Sequence, residues 1–157
     1  MKSLFSKLNG LAAAIGNSLQ SVLLLIVRLY WGWQFFLTGK GKLMNLDKTT
    51  EFFESLHLPV PKLNALAAGS VECVGGLLLL LGLGSRLISV PLIFTMIVAY
   101  VTADIDKVKG IFSEPDKFVS ADPFLFFFGA VLIFVFGPGR FSLDRVLNRS
   151  DMKTSAS

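Results

Sequence analysis

Four segments of the chain are apolar on nearly every face: about Leu19–Thr38, Leu63–Leu83, Leu87–Thr102 and Pro123–Phe136. A helix in a soluble protein shows one apolar stripe, whereas a helix that is apolar all round is buried in a large core or in lipid. About twenty residues rising about 1.5 Å each cross a hydrocarbon layer of about 30 Å. The pattern therefore predicts an all-α integral membrane protein built as a four-helix transmembrane bundle. The fourth segment is the shortest. Upstream, Leu4, Leu8, Leu11, Ile15 and Leu19 recur at steps of three and four, with Lys2 and Lys7 off that stripe. Such a stripe fits an amphipathic helix in the membrane interface over residues 1–18. Gly10, Gly16, Asn17 and Gln20 interrupt the apolar core that a cleaved leader requires, so this helix is expected to stay.

The polar stretches place the connections. Between the first two spans, Asp47 is the expected cap of a short helix carrying Phe52, Phe53 and Leu56. Pro59 and Pro61 are expected to end that helix and turn the chain back. Gly82-Leu83-Gly84-Ser85-Arg86 is short enough to force an antiparallel hairpin, and Pro91 predicts a kink one turn into the third span. Residues 104–122 form a polar loop, and Ser142 is the expected cap of a last short helix before a disordered tail at 148–157. The membrane domain thus spans residues 19–147.

Composition agrees and narrows the chemistry. Of 157 residues, 53% are hydrophobic and 17% charged, against roughly a quarter charged in soluble domains. One cysteine, Cys73, excludes an internal disulfide or a CxxC redox pair. One histidine, His57, excludes multi-histidine haem or zinc ligation, so no metal site and no covalently held cofactor is expected. A net charge of +4 with dispersed bases points to lipid headgroups, not nucleic acid. Loop lysines and arginines number seven on each side of the membrane, so the positive-inside rule ties. Four of the bases gather in the C-terminal tail, which favours cytoplasmic termini.

Arg28 lies about nine residues into the first span and Glu72 about nine into the second. In an antiparallel hairpin both are expected near the bilayer centre, where an ionisable group costs about 2.5–3.5 kcal/mol on insertion scales. Facing each other would reduce that cost. Such a pair either fixes helix register alone or forms the polar floor of a ligand or proton pocket. Arg28 and Glu72 are the candidate catalytic residues. Ala65, Ala68, Gly69 and Gly76 make a ridge of small residues beside Glu72, suited to close helix approach. Trp31, one turn from Arg28, is a candidate pocket wall, and Trp33 an interfacial anchor. Gln34 is polar at membrane depth, and Tyr100 and Asp104 lie four apart near the end of the third span. Gly39-Lys40-Gly41-Lys42 lacks the spacing and the Ser or Thr of a phosphate-binding loop, and its lysines suit headgroups.

The order of these motifs resembles the DoxX family over about residues 22–147. Arg28 with Phe36-Leu37-Thr38-Gly39 and Lys42 is similar to the family's opening, and Phe52 through Pro59 to its amphipathic loop. Glu72 with Gly75-Gly76-Leu77, then Leu81-Gly82-Leu83 and Arg86, resembles its central signature. Gly137-Pro138-Gly139-Arg140 with Ser142-Leu143-Asp144 resembles its ending. The resemblance implies a four-span protein of the bacterial inner membrane. It implies for some members quinone-dependent oxidation of sulfur compounds, or a place in membrane complexes handling oxidative stress. Where many members carry a histidine near the end of the third span, this chain has Asp104 and Asp106.

Two functional readings stay open. In the first, the chain is a quinone-linked membrane oxidoreductase or a subunit of one. Arg28 and Glu72 then serve the quinone oxygen, Trp31, Gln34, Lys42, Tyr100 and Asp104 line the ligand site, and a soluble redox partner supplies electrons. In the second, it is a module that binds or transports a small molecule, for which four short spans need a homodimer, or a scaffold without catalysis.

Overall fold

The computed structural model describes residues 2–147. Seven helices follow in order: α1 Lys2–Met44, α2 Leu46–Ser55, α3 Pro61–Leu81, α4 Ser85–Ala103, α5 Ile105–Lys109, α6 Pro115–Val119 and α7 Asp122–Phe136. Residues 143–147 form a further helical turn. Helices α1, α3 and α4 are each long and apolar enough to cross a membrane, and α7 is a shorter apolar helix of 15 residues. The chain is an all-α membrane protein.

The four apolar helices close into a ring. Helix α1 packs on α3, α3 on α4, α4 on α7, and α7 back on α1. Each turns one narrow face inward: Leu24, Arg28, Gly32, Phe35 and Gly39 from α1, and Ser85, Ser89, Leu92, Met96 and Tyr100 from α4, at steps of three and four. Phe35, Leu79, Leu92, Met96, Ala130 and Ile133 form the shared core. The outward faces keep Leu, Ile, Val and Phe side chains exposed along every long helix, as contact with lipid tails requires.

The tightest seam is α1 against α3. A Cβ at Gly76 would strike the backbone of Gly32 and Phe36, and one at Gly39 the backbone of Gly69 and Cys73. With little hydrophobic drive between helices in lipid, such backbone approach is what holds them. Gly69 and Gly76, from the ridge of small residues expected on α3, lie in this seam, and Cys73 packs there half-buried.

Several boundaries differ from the sequence-based expectation. The interfacial helix and the first span are one continuous helix, because no proline breaks residues 2–44 and only residues from Leu24 onward are buried. Helix α1 also runs through Gly39-Lys40-Gly41-Lys42, which was expected to be loop. Asn45, not Asp47, stands at the N-cap of α2, and Asp47 falls in the first turn. Pro61 opens α3 at its first turn, where its missing N–H costs nothing, and does not close α2. The loop after α4 contains α5 and α6. Ser142 caps the last turn as expected, its Oγ accepting from the Arg145 amide at 3.4 Å. The tail at 148–157 lies outside the described residues.

Candidate functional site

Arg28 and Glu72 do not pair. The guanidinium of Arg28, 3% exposed, donates from Nη1 to the carbonyl of Pro138 at 2.8 Å and from Nη2 to that of Phe141 at 2.6 Å. Its level on α3 is Gly82, where an added Cβ would stand 2.6 Å from Nη1. Glu72 is ten residues away from Gly82, about 15 Å along a helix. The depth match assumed that the first span ends near Thr38. Because α1 continues to Met44, the α1–α3 register shifts and Glu72 falls opposite the Gly39 turn.

Around Arg28 the later part of the central signature and the ending become one clasp. Gly82 adopts φ 70°, a left-handed conformation that closes α3 and that a residue with a side chain adopts only under strain. The carbonyl of Gly82 accepts the Asp144 amide at 2.9 Å. The Asp144 carboxylate accepts from the backbone N–H of Gly84 at 2.7 Å and of Ser85 at 3.1 Å. It thus caps the N-terminus of α4, whose own Gly84 has no side chain to do so. Arg86 donates to the carbonyl of Val135 at 3.3 Å. These contacts hold helix ends together, and they leave Arg28 Nε and Ser85 Oγ buried without a partner.

At the opposite end, Glu72 meets a different base. Lys42, near the end of α1, reaches past Gly69 and places Nζ 2.5 Å from Glu72 Oε1. Glu72 is 1% exposed and Lys42 31%. The other carboxylate oxygen, Oε2, is buried without a hydrogen-bond partner. An unpartnered buried oxygen on an ionisable group is expensive to maintain.

Both residues line a groove of about 520 Å³ between α2, α3 and α4. Its walls include Phe52 and Phe53 of α2, Ala68 of α3, and Pro91 and Phe94 of α4. That volume lies within the roughly 300–1,000 Å³ typical of small-molecule sites. The amphipathic loop expected from the sequence is therefore the groove's outer wall. Pro91 removes one backbone donor from α4 beside it, and Thr95 Oγ1 turns inward to the Pro91 carbonyl at 2.9 Å.

The remaining candidate ligands sit elsewhere. Trp31 packs edge-on against Phe126 and fills the space left by Gly129, so it belongs to the α1–α7 seam. Gln34 is half-buried on α1 and does not line the groove. Tyr100 donates its hydroxyl to the Phe118 carbonyl at 2.9 Å and stacks on the Phe118 ring. Asp104 pairs with Lys107 at 2.7 Å. Of the candidates, Lys42 and Glu72 are the two that line this groove. Thr95 and Phe94 were missed, and only the step of four from Pro91 to Thr95 could have signalled them.

An all-α membrane bundle with a part-buried ion pair at the wall of an apolar groove defines the class. The chain belongs to the DoxX family, whose model matches residues 23–105. It is 30% identical over 120 residues to "Putative oxidoreductase CatD" of Bacillus subtilis, covering 65% of this chain and 86% of that protein. It is 32% identical over 135 residues to "Uncharacterized membrane protein Rv3486" of Mycobacterium tuberculosis, covering 78% and 80%. It is 34% identical over 131 residues to "Inner membrane protein YphA" of Escherichia coli, covering 79% and 89%. No solved structure matches the chain.

Proposed function

We propose that the chain is the quinone-binding membrane component of an oxidoreductase complex in the bacterial inner membrane, and that the groove beside Lys42 and Glu72 is its ligand site. The observation that carries this reading is the ion pair: an acceptor group almost removed from water and a donor-rich group that is partly exposed, at the wall of a cavity lined by Phe52, Phe53 and Phe94. The apolar walls suit a ring and the start of a lipid-like tail, and the orphan Oε2 requires a polar partner. The name of the Bacillus relative supports a redox role.

A quinone bound there supplies two-electron, two-proton redox chemistry, with electrons delivered by a partner redox protein. Lys42 would donate a hydrogen bond to a ring oxygen, and the Glu72 carboxylate would take a proton from the same oxygen or return one to it. Phe52, Phe53 and Phe94 fix the ring and exclude water, which strengthens both polar contacts. Arg28 has no part in this chemistry, since it lies away from the groove with Nη1 and Nη2 on the carbonyls of Pro138 and Phe141.

The test is extraction of bound lipophiles from protein purified in mild detergent. Wild-type protein is expected to retain a quinone and Thr95→Phe, which fills the groove, to lose it while melting at a similar temperature. Equal retention by both would overturn the assignment of the groove. A lipophile retained with no electron transfer to or from a copurifying protein would leave a binding module.

A further inference from the structure

Glu72 Oε1 is occupied by Lys42, yet Oε2 is buried with no donor near it. Among the described residues lining the groove, the threonine and asparagine side chains are already committed, while Lys48 is exposed to solvent. Thr49 Oγ1 donates to the carbonyl of Lys42 at 3.2 Å, Thr95 Oγ1 to that of Pro91, and Thr102 Oγ1 to that of Val98 at 2.8 Å. Asn64 donates to the Pro59 carbonyl at 2.5 Å. Glu72 thus holds, at the groove wall, a carboxylate oxygen that lacks a donor and is closed to water, next to an ammonium that still has N–H groups to give, and a ligand hydroxyl meets it once the carboxylate turns toward the groove.

Resting on the quinone-site reading, we infer that the groove is built for the hydroxyl form of its ligand: an aromatic alcohol of the hydroquinone class, bound in preference to the corresponding quinone. A phenolic hydroxyl donates its proton to Glu72 Oε2 and accepts from Lys42 Nζ through its lone pairs, satisfying both groups with one atom. A quinone carbonyl only accepts. It can take the Lys42 hydrogen bond, but it sets a second partial negative charge against Oε2 and leaves that oxygen unpaired. The two forms have nearly the same shape, so the apolar walls do not distinguish them. Discrimination rests on one hydrogen bond to a charged group, which is worth roughly tenfold or more in affinity. The rings of Phe52, Phe53 and Phe94 favour a flat ligand over an aliphatic alcohol.

The assignment is tested by calorimetric titration of the detergent-purified full chain, under argon, with a short-tailed hydroquinone, its quinone, the hydroquinone dimethyl ether and 1-decanol. The hydroquinone is expected to bind at least about tenfold tighter than the other three. Glu72→Gln places an amide where the carboxylate was. Its N–H group now suits a carbonyl, so the preference is expected to shrink or reverse. Equal affinity for hydroquinone and quinone in the wild-type protein overturns the inference while leaving the groove as a quinone site. Equal affinity for 1-decanol overturns the aromatic part. Failure of every probe to bind overturns the groove reading itself. Because the wild-type comparison decides by itself, a variant that does not fold leaves the test intact.

Discussion

The carboxylate of Asp144 caps a helix that begins sixty residues earlier, accepting the backbone N–H of Gly84 at 2.7 Å. The next amide, from Ser85, reaches its second oxygen at 3.1 Å. A helix N-terminus leaves its first N–H groups without partners, and glycine at the cap of α4 offers none. The C-terminal segment supplies from outside what α4 lacks, and so binds the end of the chain to the middle. Asp144→Ala is expected to cost about 1–2 kcal/mol, the scale of a lost N-cap. Thermal melting in detergent measures this, and an unchanged melting temperature would refute it.

Arg28 should behave as a structural group. Arg28→Lys keeps the charge but cannot donate two bonds in a fixed fork, so the carbonyls of Pro138 and Phe141 are left short of a donor. The expected loss is about 1–3 kcal/mol. Limited proteolysis should cut more readily after residue 137, while ligand affinity at the groove stays unchanged. A fall in affinity without a fall in melting temperature would restore Arg28 to the site.

The α1–α3 seam makes a sharp comparison between glycines. Gly76→Ala drives a methyl group into the backbone of Gly32 and Phe36 and should cost about 1–3 kcal/mol. Gly41→Ala lies on the same pair of helices with nothing within 4 Å, and there alanine should stabilise by about 0.5–1 kcal/mol through the unfolded chain. Matching effects of the two substitutions would argue against the close approach.

Tyr100 ties α4 to the loop after it. Tyr100→Phe keeps the ring stacked on Phe118 and removes only the hydroxyl bond to the Phe118 carbonyl. The expected cost is about 1 kcal/mol, with faster amide exchange over residues 115–121. Exchange unchanged there would show that the stack, not the hydroxyl, holds α6.

Hydropathy determined the membrane class, the hairpin at Gly82–Ser85 and the extent of α3, α4 and α7 to within two residues, because apolar periodicity and helix breakers act locally. That Glu72 needs a partner was legible for the same reason: a carboxyl so deep in an apolar segment demands one. Which partner was not legible. It depended on how far α1 extends past Thr38, and two glycines and two lysines read as loop although nothing in them stops a helix already nucleated and packed.

A helical rise of about 1.5 Å per residue turns six residues of misjudged helix into about 9 Å of register. That shift accounts for more than half of the about 15 Å between Glu72 and the level of Arg28, and with it the pocket moves from the middle of the bundle to the α2 end, beside Lys42. It also separated Trp31 and Tyr100 from the groove. The sequence by itself determined which residues are too polar for lipid. Only the tertiary structure decided whom each one meets, because pairing depends on the register and rotation of helices packed by distant glycines, and neither is encoded within a single segment.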